Sequence, residues 1–203
     1  MFPLGQPLLP GAGTSLHVFE PRYVEMVRDL LASGADTLDF GVAMIERGHE
    51  VGGGDVRADV GALCRIAEIQ ALPDDRYAMI VVGVERIEIV EWLDDDPYPR
   101  AEVTVWPDDP DDLPPEAVEH RVGQVLEAGI SLNAALRELG HEGVPDLELT
   151  DSAADTLYAI AAQTPLGPVD RHRVLAAPSV AARCDVLEQA IEDARAVLEF
   201  HRS

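Results

Sequence analysis

The sequence predicts an α+β fold: mainly antiparallel strands with one helix over residues 1–106, then helices alone over residues 116–203. Three observations carry this. In the first half, apolar residues alternate with period two. In the second half they recur at helical spacing. Between the halves runs Pro107-Asp108-Asp109-Pro110-Asp111-Asp112-Leu113-Pro114-Pro115, with four prolines and four aspartates in nine residues. Such a stretch suits neither a helix interior nor a central strand. It reads as a semi-rigid extended connector, residues 107–115.

Each element has its own signal. Ser15-Leu16-His17-Val18-Phe19 alternates as a strand. Pro21 fits the first helical position, where its missing N–H is not needed, and Glu20 sits at the positive end of the helix dipole. Val24, Val27, Leu30 and Leu31 form the apolar face, and Gly34 suits the C-terminal stop. Leu38, Phe40, Val42 and Met44 mark the next strand, and Ala62 to Ala71 another. Pro73-Asp74-Asp75-Arg76 reads as a hairpin turn into Tyr77–Val84, and Gly52-Gly53-Gly54-Asp55 as a loop tip. In Glu85–Trp92, Ile87 and Ile89 alternate with Arg86, Glu88 and Glu91. In Tyr98–Trp106, Ala101, Val103 and Val105 alternate with Arg100, Glu102 and Thr104. This makes about six strands, spaced as in a small barrel or sandwich.

In the second half Val118, Val122, Val125 and Leu126 share a face, followed by Leu132, Leu136 and Leu139. Gly129 leaves open whether this is one bent helix or two. Ser152 and Asp155 form a variant capping box ahead of Leu157 and Ile160. Pro165 and Pro168 break that segment, and Val169 to Ala176 is a further short helix. Ser179 caps the last helix, whose Cys184, Leu187, Ile191, Ala194 and Leu198 follow the spacing of a bundle seam.

Composition excludes several functions. The 203 residues include 15 basic and 38 acidic ones, for a net charge of −23. Every basic residue is an arginine. Without lysine there is no P-loop, no Ser–Lys dyad and no Schiff-base chemistry. The negative charge is spread over both halves, which argues against nucleic acid and anionic membrane as partners. The N-terminus lacks a basic region and is interrupted by Pro3, Pro7 and Pro10, unlike a signal peptide. The longest strongly apolar run, Ala78 to Val84, is too short to span a bilayer. Cys64 and Cys184 are too far apart in sequence for a metal-ligand spacing. The expectation is a soluble cytoplasmic protein with two buried thiols.

Few residues suggest chemistry. His17 with Cys64 is the one conceivable nucleophile–base pair, which would make an enzyme site on a barrel rim. Apolar Leu63 and Ile66 around Cys64 favour a buried small hydrophobe instead. His120, His141, His172 and His201 are scattered, and His141-Glu142 does not continue as a zinc motif. Asp94-Asp95-Asp96 and the Asp108–Asp112 run lack the calcium-loop pattern and read as solvated acidic loops. Gly52-Gly53-Gly54 precedes no helix, so it is no phosphate cradle. Trp92, Tyr98 and Trp106 near strand ends read as core or rim. No catalytic, cofactor or metal-binding residue is assigned.

Beyond these readings, a set of motifs carries a resemblance. Phe2-Pro3-Leu4 is followed by Leu16-His17-Val18-Phe19-Glu20-Pro21-Arg22-Tyr23. Then come Phe40-Gly41-Val42, Arg47-Gly48, Glu50-Val51-Gly52, Val60-Gly61, Arg65-Ile66, Arg76-Tyr77, Gly83, Arg86, Pro97-Tyr98 and Ala101. In order and spacing over residues 1–106 this resembles the N-terminal domain of the Lon ATP-dependent protease. The helical half matches only in pattern. The resemblance implies a β pseudo-barrel related to the PUA domain, followed by a helical bundle. It also implies recognition of protein substrates: unfolded or extended polypeptides, in the service of a protease or chaperone system. The absence of lysine departs from an ATPase and peptidase, so the expectation is a stand-alone, non-catalytic binding module. Within the Phe19–Tyr23 block, Glu20 and Arg22 are expected to hold the corner while Phe19 and Tyr23 fill the core.

Overall fold

A computed structural model describes residues 1–50 and 54–202. Of the Gly52-Gly53-Gly54 tip only Gly54 falls among the described residues, and the His201 side chain lies outside them. The chain divides into two compact units, residues 1–106 and 107–203.

The first unit contains β1 (Phe2–Leu4), β2 (Gly13–Val18), α1 (Pro21–Ala32), β3 (Asp39–Arg47), β4 (Val56–Leu72), β5 (Arg76–Leu93) and β6 (Arg100–Val105). Its six strands form one sheet in the order β1-β3-β4-β5-β2, with β6 also on β5. Only β1 and β3 run parallel. The 18-residue β5 is the spine. One edge pairs with β4 along most of its length. The other edge pairs with β2 through Tyr77–Val82 and then with β6 through Ile87–Leu93. Between them Leu9 and Pro10 cross close over Gly83, where any side chain would collide with the Leu9 carbonyl. The sheet does not close, because β1 and β2 end the pairing path without joining each other.

Local chemistry sets the connections. The β4–β5 turn places Asp74 and Asp75 at φ 61° and 56°, the left-handed backbone that a tight hairpin turn needs and that Asp tolerates better than most residues. Helix α1 starts at Pro21 as expected and is followed by Gly34 at φ +68°. It buries Tyr23, Val24, Met26 and Val27. Leu31, assigned above to this face, is 47% exposed. Inside the sheet, Leu16, Val18, Phe40, Val42, Ala62, Cys64, Met79 and Val81 close around those helix residues. Phe2 stacks on Tyr23 at 4.3 Å.

Two strand readings need correction. Arg86 does not point to solvent: it is buried, lies 4.0 Å over the Trp106 ring and donates from Nε to the Trp106 carbonyl at 3.0 Å. Val103 and Val105 alternate as expected but remain exposed, because no layer covers their face of β6.

The second unit is helical: α2 (Pro115–Glu138), α3 (Ala153–Gln163), α4 (Pro168–Ala176) and α5 (Val180–Arg202). Gly129 does not divide α2. It is buried where a Cβ would press on Leu147 and Ile160 of the same unit, so it serves close packing. Leu139 lies just past the end of α2, 41% exposed. The Ser152 hydroxyl accepts from Asp155 N at 3.0 Å, and that of Ser179 from Ala182 N at 3.3 Å. Both caps stand where the sequence places them.

The Pro/Asp stretch differs from its reading as a solvated loop. Asp108 holds the fully buried Arg183 guanidinium through two bonds of 3.0 and 2.6 Å, and Asp111 accepts from Ala181 N at 2.9 Å. The Asp109 amide donates to Pro178 O. The stretch is stitched to the start of α5, where a carboxylate complements the exposed N–H groups of a helix.

Candidate functional site

The corner between β2 and α1 is built from Phe19 to Tyr23. Glu20 is extended (φ −71°, ψ 134°), and its carbonyl accepts from Tyr23 N and Val24 N. Its carboxylate lies 3.2 Å from the Arg22 guanidinium, which in turn lies 4.5 Å over the Tyr23 ring. Burial pushes the Tyr23 hydroxyl up to about 12. Glu20 and Arg22 hold the corner and Tyr23 fills the core, as expected.

Phe19 does not fill the core. It is 56% exposed. The reason is parity: in β2 Leu16 and Val18 turn inward, so His17, and Phe19 just past the end of the strand, turn outward. Beside it lies a hollow of about 200 Å³ with Phe2, Leu16, Val18 and Tyr23 at its apolar base. Leu4, His17, Phe19, Glu20 and Glu50 also line it. The Glu50 carboxylate accepts from Gly5 N at 2.5 Å. A second hollow, of about 320 Å³, lies over Ser15, His17, Glu68, Gln70, Ala78 and Ile80. His17 therefore borders two recesses along β2.

The structure does not bring His17 and Cys64 together. His17 is exposed, whereas Cys64 is fully buried in the core with Leu16 and Val18. The Cys64 thiol donates to Ala62 O at 3.5 Å, and burial pushes it up to about 12, so it is no thiolate nucleophile at neutral pH. Burial likewise raises the Cys184 thiol to about 11. His120 is exposed on α2, and His141 borders a separate hollow with Leu136, Leu166, Asp170 and Val197. His172 is half-buried on α4. Among the described residues no three His, Cys, Asp or Glu side chains are grouped to hold a metal ion. No described helix is long and apolar enough to cross a membrane.

The rim aromatics are engaged by arginines or acids. Arg57 lies 4.9 Å over Trp92 and binds Asp55 at 2.6 Å and Asp95 at 3.0 and 3.1 Å. The Tyr98 hydroxyl donates to Asp29 at 2.8 Å. Asp95, read above as part of a solvated run, is thus taken up by Arg57. What the sequence reading missed is the outward Phe19 beside the open side of the sheet. The parity of Phe19 with the polar His17 was the available signal.

Comparison with known proteins fits this architecture. A crystal structure of a Lon N-terminal domain protein from Xanthomonas campestris matches with a TM-score of 0.66 at 28% identity, over 93% of this chain and 95% of that one. The N-terminal domain of a Mycobacterium avium complex Lon protease shares the fold, with a TM-score of 0.64 at 17% identity, covering 94% and 97%. In sequence, "Lon protease 2" of Herpetosiphon aurantiacus is 29% identical over 96% of this chain, and a Lon protease of Anaeromyxobacter dehalogenans 23% over 94%. The chain spans about a quarter of the length of these curated relatives. The model of the ATP-dependent protease La (LON) substrate-binding domain matches residues 1–193, and the chain belongs to that family.

Proposed function

We propose that this chain is a non-catalytic polypeptide-binding module. It recognises unfolded or extended chains in the cytoplasm for a proteolytic or chaperone system, joined to it or separate. The observation that supports this reading is the exposed Phe19 beside a hollow with an apolar base, in a family named for substrate binding. An exposed aromatic next to a recess is the feature an apolar side chain of a client would use. The charge of −23 selects against acidic clients and nucleic acid, and attracts segments with arginine or lysine beside apolar residues.

The test is a titration of the 203-residue protein with a reduced, unfolded basic protein and with its folded form. The unfolded form should bind and the folded form should not. Raising salt should slow association more than it speeds dissociation, because surface charge is screened beyond roughly 8 Å at physiological ionic strength. Equal binding of both forms, or of neither, overturns the reading.

A further inference from the structure

We infer that the client is held by strand addition: an extended segment, with basic and apolar residues alternating, pairs with the outer edge of β2. This rests on the polypeptide-binding reading above. Strand β2 pairs with β5 on one side only. In an antiparallel strand every second residue turns its N–H and C=O away from its partner. Among the described residues nothing bonds to those groups of β2. A peptide laid along that edge would extend the sheet, and its side chains would alternate between the two faces.

The two faces differ in the way an alternating client needs. On the inner side lies the hollow based on Phe2, Leu16, Val18 and Tyr23, which takes apolar side chains. On the outer side lies the recess over Ser15, His17 and Glu68. The outer recess carries the exposed Glu68, and among the described residues no arginine lines it. That carboxylate and the net charge of −23 match arginine or lysine at the client's outward positions. Strand β6 is also an edge, but no hollow adjoins it among those described.

The probe is fluorescent acetyl-Arg-Phe-Arg-Val-Arg-Leu-amide, titrated against the whole protein. Two versions carry N-methyl groups on alternate amides, one in each phase. Strand addition uses one phase of N–H groups, so one version should bind about tenfold more weakly and the other like the parent. Phe19→Ala should weaken the parent peptide several-fold while Val103→Ala on β6 leaves it unchanged. Equal affinity of the two methylated versions overturns strand addition. Loss on Val103→Ala but not on Phe19→Ala overturns the assignment to β2. If unfolded protein binds but the hexapeptide does not, this inference fails and the binding reading stands. If neither binds, both fail.

Discussion

Arg57 and Arg183 solve the same problem in two settings. Each guanidinium is held by aspartate and lies against an aromatic ring, Trp92 at 4.9 Å and Tyr158 at 4.3 Å. Arg183 has no exposed side-chain surface, with Asp108 its bidentate partner and Val174 O at 3.2 Å. Arg57 keeps 11% exposure and shares two partners, a buried Asp55 and an Asp95 that is 37% exposed. The first pair fixes where the chain enters the helical unit. The second ties the start of β4 to the loop after β5. A buried charge with one counter-ion depends on it heavily, whereas one with two counter-ions and some solvent depends less on either.

The widest gap should appear when the carboxylate of Asp108, which neutralises the buried Arg183, is removed. Asp108→Ala leaves a buried, uncompensated guanidinium and should cost about 3–5 kcal/mol, read from denaturant unfolding. Replacing Asp108 and Arg183 together by leucine should recover much of that loss. If the double variant is as unstable as the single one, burial of the charge is not what makes the site sensitive.

A smaller effect is expected at Asp55. Burial works to raise its carboxyl, but the bond and charge of Arg57 outweigh this and hold it below its ordinary value. A carboxylate lowered by folding contributes fully above its unfolded pKa of about 4, and loses that contribution as pH falls through the folded value. Asp55→Asn should therefore cost about 2 kcal/mol at pH 7 and less at pH 3. Melting curves at the two pH values check this, and a loss independent of pH would remove the charge from the explanation.

The smallest effect belongs to the exposed pair. Arg65 reaches Asp39 through two bonds of 2.8 Å each, yet water competes for both groups. Arg65→Ala should leave the melting temperature within error. A clear drop would show that bidentate geometry counts even at the surface.

Helix starts were legible where Pro21, Ser152 and Ser179 act on their own neighbours, through a fixed φ or a hydroxyl within reach, whereas Pro168, read as a breaker, opens α4. The β4–β5 turn was legible for the same reason. Strand existence followed from alternation, but the fate of each face did not. Val103 has the pattern of a buried residue and lacks a covering layer, while Arg86 has the pattern of a surface residue and is roofed by Trp106. Asp108 and Asp111 looked solvated because their partners, the Arg183 guanidinium and the Ala181 amide, are 75 and 70 residues away. Phe19 belonged to a recognisable motif, but the open side of the sheet that leaves it exposed depends on which strands pair.

The course of β5 also dictates an order of events. Strands β4 and β5 are joined by a short turn and can zip together locally. Strand β2 must find residues 77–82, far downstream. On a ribosome it emerges long before that partner exists, and α1 follows it immediately. Leu16 and Val18 then have Phe2, the apolar side of α1 and the core residues of β3 and β4 to meet until the spine arrives. Non-local pairing of this kind is slow, so the edge assigned to clients is also among the last parts of the sheet to be anchored.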